Sequence, residues 1–196
     1  MVLGTALVLA ALSLFLWNWQ EDRQAGESAE IILPKIIGEI HQPDVAGGTE
    51  EPSWPDPYDA TMTEVEIDGY TYVGYLSIPA IELELPVMSE WDYTRLKIAP
   101  CRYTGSTKTG DLVIAGHNYT RHFGQLSKLS EGDQVIFTDM DGEIWVYEVA
   151  AVEVLAPTAV EDMTASGYDL TLFTCTYSGA SRVTVRCDRQ LAKLQQ

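Results

Sequence analysis

Basic residues are scarce in this sequence. Its 196 residues hold 12 Lys and Arg against 29 Asp and Glu, a formal net charge of −17. A nucleic-acid partner needs a basic face, so that class is excluded, and docking onto anionic lipid by surface charge is excluded with it. Cysteine is scarce too, with Cys101, Cys175 and Cys187 the only three. An odd count with no close pair makes neither a disulfide framework nor a zinc site. Two structural thiols and one reactive thiol are expected, with neither metal nor cofactor. A Cys101–Cys187 bridge stays open, because the compartment argued below is oxidising. No internal repeat of fixed period is present. No Lys or Arg precedes the apolar N-terminus, so the usual orientation signal is missing. No apolar segment follows the last strand-like stretch.

What is present reads as a globular domain with appendages. Hydrophobic residues make up 46% and charged residues 21%, an ordinary balance. Val2 to Trp19 is apolar apart from Thr5, Ser13 and Asn18, about the minimum length for a membrane-spanning helix. A cleavable signal peptide is the rival reading. The run ends in Trp17-Asn18-Trp19, an interfacial aromatic belt rather than a small-residue cleavage site. An uncleaved transmembrane anchor over residues 1–19 is therefore expected. Residues 20–61 form an acidic stalk, in which Gly47-Gly48, Pro52, Pro55 and Pro57 break any long helix. Two apolar islands, Ile31-Ile32-Leu33 with Ile36-Ile37 and Trp54 with Tyr58, predict that part of the stalk docks on the domain.

The domain itself, residues 62–196, is mainly β. Tyr70 to Ile78 alternates with the two-residue period of a strand, and Ile81, Leu83 and Leu85 continue it. Ser89-Glu90-Trp91-Asp92 has the form of a capping box and predicts a short helix to about Ile98. Phe123, Leu126 and Leu129 at spacing three predict a helical turn. Asp141-Gly142 is a two-residue hairpin signal, and Thr158 to Gly167 is a longer connection. About eight short strands with little helix predict an antiparallel β-barrel.

The chemistry concentrates late in the chain. Leu170, Leu172 and Thr174 alternate with Thr171, Phe173 and Cys175. Ser178-Gly179 supplies a turn, and Arg182-Val183-Thr184-Val185 resumes a strand. Cys175 thus closes one strand and Arg182 opens the next. A thiol beside a fixed positive charge has a larger thiolate fraction, which makes a nucleophile. Arg186 lies on the same face as Arg182 by alternation and is a rival for its role, about 13 Å further along an extended strand. His122 and His41 sit in no recognisable pattern and read as surface residues.

Thr171-Leu172-Phe173-Thr174-Cys175 resembles the Thr-Leu-any-Thr-Cys signature of the sortases. Arg182 before Val-Thr-Val resembles their essential arginine, and Gly110-Asp111-Leu112-Val113-Ile114-Ala115-Gly116-His117 resembles their histidine motif. The resemblance covers about residues 70 to 190. It implies an eight-stranded sortase-type barrel and a cysteine transpeptidase outside the cell, held at a Gram-positive-type envelope by a single-pass anchor. Such an enzyme cleaves a Leu-Pro-any-Thr-Gly sorting signal of secreted surface proteins between Thr and Gly. It then joins the Thr carboxyl to an amine of a cell-wall precursor or a pilin.

In that scheme Cys175 forms the thioester, His117 exchanges protons with the leaving and entering amines, and Arg182 stabilises the oxyanion. Thr174, Asn118 and Tyr177 are expected to bind or support the substrate. Asp56-Pro57-Tyr58 has the form of the lid of pilin-polymerising members, and the alternative is packing on the barrel's flank. Leu33-Pro34-Lys35 imitates the start of a sorting signal. Glu161 and Asp162 occupy the loop through which some sortases bind calcium. Two other classes are set against the transpeptidase. A papain-like peptidase fits poorly, because Cys175 sits in a strand pattern. An inactive, membrane-tethered binding module on the same barrel is the second, since fold does not fix activity.

Overall fold

The computed structural model describes residues 2–40 and 60–190. A long helix, α1 (Val2–Ile40), precedes nine strands: β1 (Val65–Ile67), β2 (Tyr70–Ile78), β3 (Leu83–Met88), β4 (Cys101–Thr104), β5 (Leu112–Ala115), β6 (Gln134–Asp139), β7 (Ile144–Leu155), β8 (Leu170–Cys175) and β9 (Arg182–Arg189). A short helix, α2 (Val160–Thr164), lies between β7 and β8. Eight strands close in the order β2-β3-β4-β5-β8-β9-β7-β6, with β6 pairing back onto β2, and β1 adds a short ninth strand to β2. Gly74 permits the closure. A Cβ there would meet the Thr138 carbonyl oxygen at 2.1 Å, where β2 and β6 pair antiparallel from Gly74↔Asp139.

The barrel is not purely antiparallel. β3 with β4 and β5 with β8 are parallel pairs, each requiring a crossover rather than a hairpin. Leu76, Leu85, Ile114, Phe137, Tyr147 and Leu172 fill the interior, and full burial of side chains this size contributes about 1.5–3 kcal/mol each. At the Asp141-Gly142 hairpin the buried Asp139 carboxylate accepts from the backbone N–H of Asp141 and Glu143 and from Trp145 Nε1 at 2.8 Å. Phe123 and Leu126 are buried within a 3₁₀ turn at Phe123–Lys128.

The expected helix after Ser89 is only a 3₁₀ turn at Arg95–Lys97. Asp92 leads into it, its carboxylate accepting from the N–H groups of Thr94 and Arg95 at 2.7 and 2.8 Å. The Ser89 hydroxyl is engaged instead with Thr71.

α1 departs most from expectation. Residues 2–40 form one helix that passes through Pro34. Ala25, Ala29, Ile32 and Ile36 bury one face of it against the barrel. Ile32 and Ile36 pack into a second cluster with Tyr72, Met88, Cys101 and Met140. That burial outweighs the proline penalty. Leu33-Pro34-Lys35 is helical and cannot lie as an extended peptide. Among the described residues no helix is long and apolar enough to cross a membrane. The apolar run ends at Trp19, just before the helix turns acidic at Glu21 and Asp22. Its early turns, including Leu7, Leu14, Phe15 and Trp17, are exposed. Asp56, Pro57 and Tyr58 lie outside the described residues, as do Trp54 and His41.

Candidate active site

Cys175 and Arg182 are Cα partners at the open end of the β8–β9 ladder. Alternation along β8 turns Leu170, Leu172 and Thr174 into the core and leaves Cys175 exposed on the outer face. The other two thiols are different in kind. Cys101 and Cys187 are buried and free, and desolvation pushes each thiol up to about 12. They belong to separate apolar clusters, which removes the bridge left open by the sequence.

β5 brings the histidine motif alongside. Ala115 is level with Phe173 in the parallel β5–β8 pair, and Gly116 extends the ladder by one bond, its N–H donating to the Phe173 carbonyl at 3.0 Å. His117 follows directly, beyond the end of β5. The glycine is sterically required, since a Cβ at Gly116 would lie 2.4 Å from the Phe123 ring.

Two clefts lie at this end of the ladder. Cys175 and Arg182 edge an apolar cleft of about 140 Å³ walled by Trp91, Tyr103, Phe173, Val160 and Met163. Tyr103 stacks between Trp91, 5.2 Å away, and Phe173, 5.4 Å away edge-on. His117, Asn118 and Tyr177 line the second cleft, whose opposite wall is α1 through Phe15, Trp19, Glu21 and Asp22. Cys175 and Arg182 are therefore neighbours in the sheet and share one cleft, while His117, beyond the end of β5, lines the other. The Arg182 guanidinium turns back on its own turn, Nη1 donating to the carbonyls of Gly179 and Ser181 at 3.2 and 3.1 Å.

The His117 ring stacks on Tyr119 at 3.8 Å, and the Tyr119 hydroxyl donates to Glu21 Oε2 at 3.2 Å. Burial lowers the His117 pKa, while the Asn118 side chain and the Glu21 charge act against that shift. His117 Nδ1 is buried and has no hydrogen-bond partner among the described residues. Thr174 is buried with its hydroxyl likewise unpartnered among them, and Tyr177 is fully exposed at the rim.

Two expectations are corrected by contacts the sequence did not reveal. His122 is wholly buried rather than at the surface. It lies beneath α1, edge-on to Tyr119 at 5.7 Å. Desolvation lowers its pKa to about 4. Arg186 shares the outer face with Arg182 but is buried beneath α2. It bonds Glu153, Thr171 and the carbonyls of Asp162 and Met163, which removes it as a rival for the catalytic arginine. Glu21 and Tyr119 were also missed. No local pattern marks a helix 90 residues upstream as a wall of the histidine cleft. Among the described residues, no group of three or more His, Cys, Asp or Glu side chains could hold a metal ion.

Comparison with known proteins agrees with this fold. The Sortase domain family matches residues 76–190, more than half of the chain. Sortase A of Bacillus anthracis is 29% identical over 122 residues, covering 59% of this chain and 58% of that protein. Among solved structures, sortase A from Corynebacterium diphtheriae superposes with a TM-score of 0.56 at 27% identity, over 65% of this chain and 64% of that one. Sortase C1 from Streptococcus agalactiae gives 0.57 at 28% identity, over 65% and 72%. This chain thus spans less than two thirds of the Bacillus and Corynebacterium proteins.

Proposed function

Because this chain belongs to the sortase family, whose members are cysteine transpeptidases, we propose that it cleaves a Leu-Pro-any-Thr-Gly-type sorting signal between Thr and Gly. It transfers the acyl group to an amine of a cell-wall precursor or a pilin. One observation carries the reading. The single exposed thiol, Cys175, stands opposite Arg182 at the mouth of an apolar cleft, while the two other thiols are buried.

In the proposed reaction the Cys175 sulfur attacks the threonyl carbonyl. The Arg182 guanidinium leaves the Gly179 and Ser181 carbonyls to hold the oxyanion. His117 gives a proton to the departing glycine amine, because a neutral amine leaves far more readily than an amide anion. The Cys175 thioester remains. The acceptor amine then attacks it, His117 takes the amine's proton, and the thiolate departs. Asn118 beside His117 supports the imidazole in this scheme. Thr174 steadies the strand end behind Cys175, and Tyr177 meets substrate at the rim.

The family supports a place at the cell envelope. The exposed apolar turns of α1 support membrane association, and resistance of the full chain to carbonate extraction would test it. Asp56-Pro57-Tyr58 is proposed as a lid over the cleft, as one solved Corynebacterium diphtheriae relative is described as a lid mutant. The decisive experiment incubates the protein with a library of Leu-Pro-any-Thr-Gly peptides and an amine nucleophile, followed by mass spectrometry. A mass shift on Cys175 and an amine-extended peptide are expected. No adduct and no cleavage with any peptide would favour an inactive binding module.

A further inference from the structure

Arg186 carries an arrangement that the transpeptidation scheme does not use. Its side chain is only 3% exposed. From β9 it reaches three other elements. Nε donates to Glu153 on β7 at 2.7 Å, and Nη1 donates to the Thr171 hydroxyl on β8 at 3.1 Å. The remaining bonds go to backbone carbonyls of α2, Nη1 to Met163 at 3.2 Å and Nη2 to Asp162 at 2.7 Å. Burying a guanidinium is costly, and only a full set of bonds offsets the lost hydration. The return on that cost is order in α2. Five residues are too few to hold a helix by their own bonds, and Ala159 offers no side-chain cap at its start. The carbonyls near its end are satisfied by Arg186, whose positive charge also suits a helix C-terminus.

The significance of α2 is its position. Val160 and Met163 form the wall of the apolar cleft that faces Phe173, Cys175 and Arg182. The cleft of about 140 Å³ is close to the size of a cavity that holds one benzene ring. It therefore takes one medium apolar side chain. Its width is the gap between the sheet and a five-residue helix whose late carbonyls are bonded by Arg186.

We propose that Arg186 is a positioning and specificity-determining residue. By clamping α2 from below, it fixes the width of the cleft beside Cys175 and hence the size of the apolar substrate side chain admitted there. The proposal rests on the transpeptidase reading. Arg186 touches neither substrate nor reacting atoms, so its removal acts on the fit of the substrate rather than on the bond-breaking step.

The test compares wild type with Arg186→Lys, which keeps a charge near Glu153 but loses the fork that spans two carbonyls. Peptides carrying Leu, Ala or Phe at the first signal position are transferred to an amine, and hydrogen exchange is followed over residues 157–169. For Arg186→Lys the expected result is faster exchange in α2, KM for the Leu peptide raised by roughly tenfold with kcat within about twofold, and a weakened preference for Leu over Ala and Phe. Glu153→Gln leaves the α2 carbonyl bonds in place and should keep the wild-type preference. Thr171→Val removes one anchor without touching the ion pair and serves if Arg186→Lys does not fold. It should shift KM and preference in the same direction. An active wild type with unchanged preference in the Arg186 and Thr171 variants overturns the proposal. A fall in kcat with constant KM overturns it as well. If wild type transfers no peptide, the transpeptidase reading fails, and the exchange measurement alone then decides whether Arg186 holds α2.

Discussion

Arg182 stands directly across the β8–β9 ladder from Cys175, yet its guanidinium is turned away onto the carbonyls of Gly179 and Ser181. In the proposed reaction the turn carbonyls must give up the guanidinium to the oxyanion. Arg182→Ala should lower kcat/KM by at least about two orders of magnitude. Arg182→Lys should recover only part of the loss, since an ammonium lacks the planar fork. Cys175→Ala should form no thioester. Steady-state assays with intact-mass analysis check all three, and an Arg182→Ala enzyme of near wild-type rate would remove Arg182 from the mechanism.

The three thiols should react very unequally. Cys101 and Cys187 are buried, with pKa values pushed up to about 12, and the thiolate is the reactive form. The folded protein should take up one equivalent of a thiol reagent, at Cys175, and three once denatured. Peptide mapping locates the label.

Much of this was legible in the sequence. Alternation put Leu170, Leu172 and Thr174 on one face of a strand, the face that is buried, and Asp141-Gly142 marked the hairpin. These signals are local, and local geometry is what a two-residue period and a turn pair encode. The failures came from distant elements. His122 reads as a loop residue until α1, nearly a hundred residues upstream, is laid over it. Arg186 was assigned the right face of β9, but nothing in its own strand announces that α2 folds over that face. The helix through Pro34 overrides local propensity for the same reason: Ile32 and Ile36 gain more from the barrel than the proline costs.

Burial of His122 makes stability depend on pH. Its folded pKa is about 4 against 6.5 for the free group, with desolvation the largest cause and Asp22, the Ala25 backbone and His117 acting on it. Between those values the unfolded chain binds more protons than the folded one, so stability falls as pH drops from 6.5 towards 4. The loss from this one group approaches about 3 kcal/mol below that window. Urea midpoints from pH 7 to pH 4 should fall less steeply in His122→Phe than in wild type. Parallel curves would show that the group contributes nothing.

Glu21 and His117 are coupled across the boundary between α1 and the barrel. Burial lowers the His117 pKa, and the Glu21 charge opposes that shift. Glu21→Gln should therefore move the His117 titration further below 6.5, read from its ring-proton shift by NMR. An unchanged titration would mean that the carboxylate is screened from the ring.

Docking of α1 can be tested apart from the chemistry. Ile36 is fully buried, and truncating such a side chain costs about 2–5 kcal/mol. Ile36→Ala should lower Tm measurably, whereas Ile31→Ala, on the exposed side of the same helix, should not.

α1 is also a lever. The face that carries Ala25 to Ile36 is fixed to the barrel, and the same unbroken helix projects its exposed apolar turns over roughly 25 Å before that face begins. On a slack tether the barrel would take any attitude to that end. On one unbroken helix it keeps a single attitude, so the proposed nucleophile Cys175 stands at a fixed reach from the apolar turns.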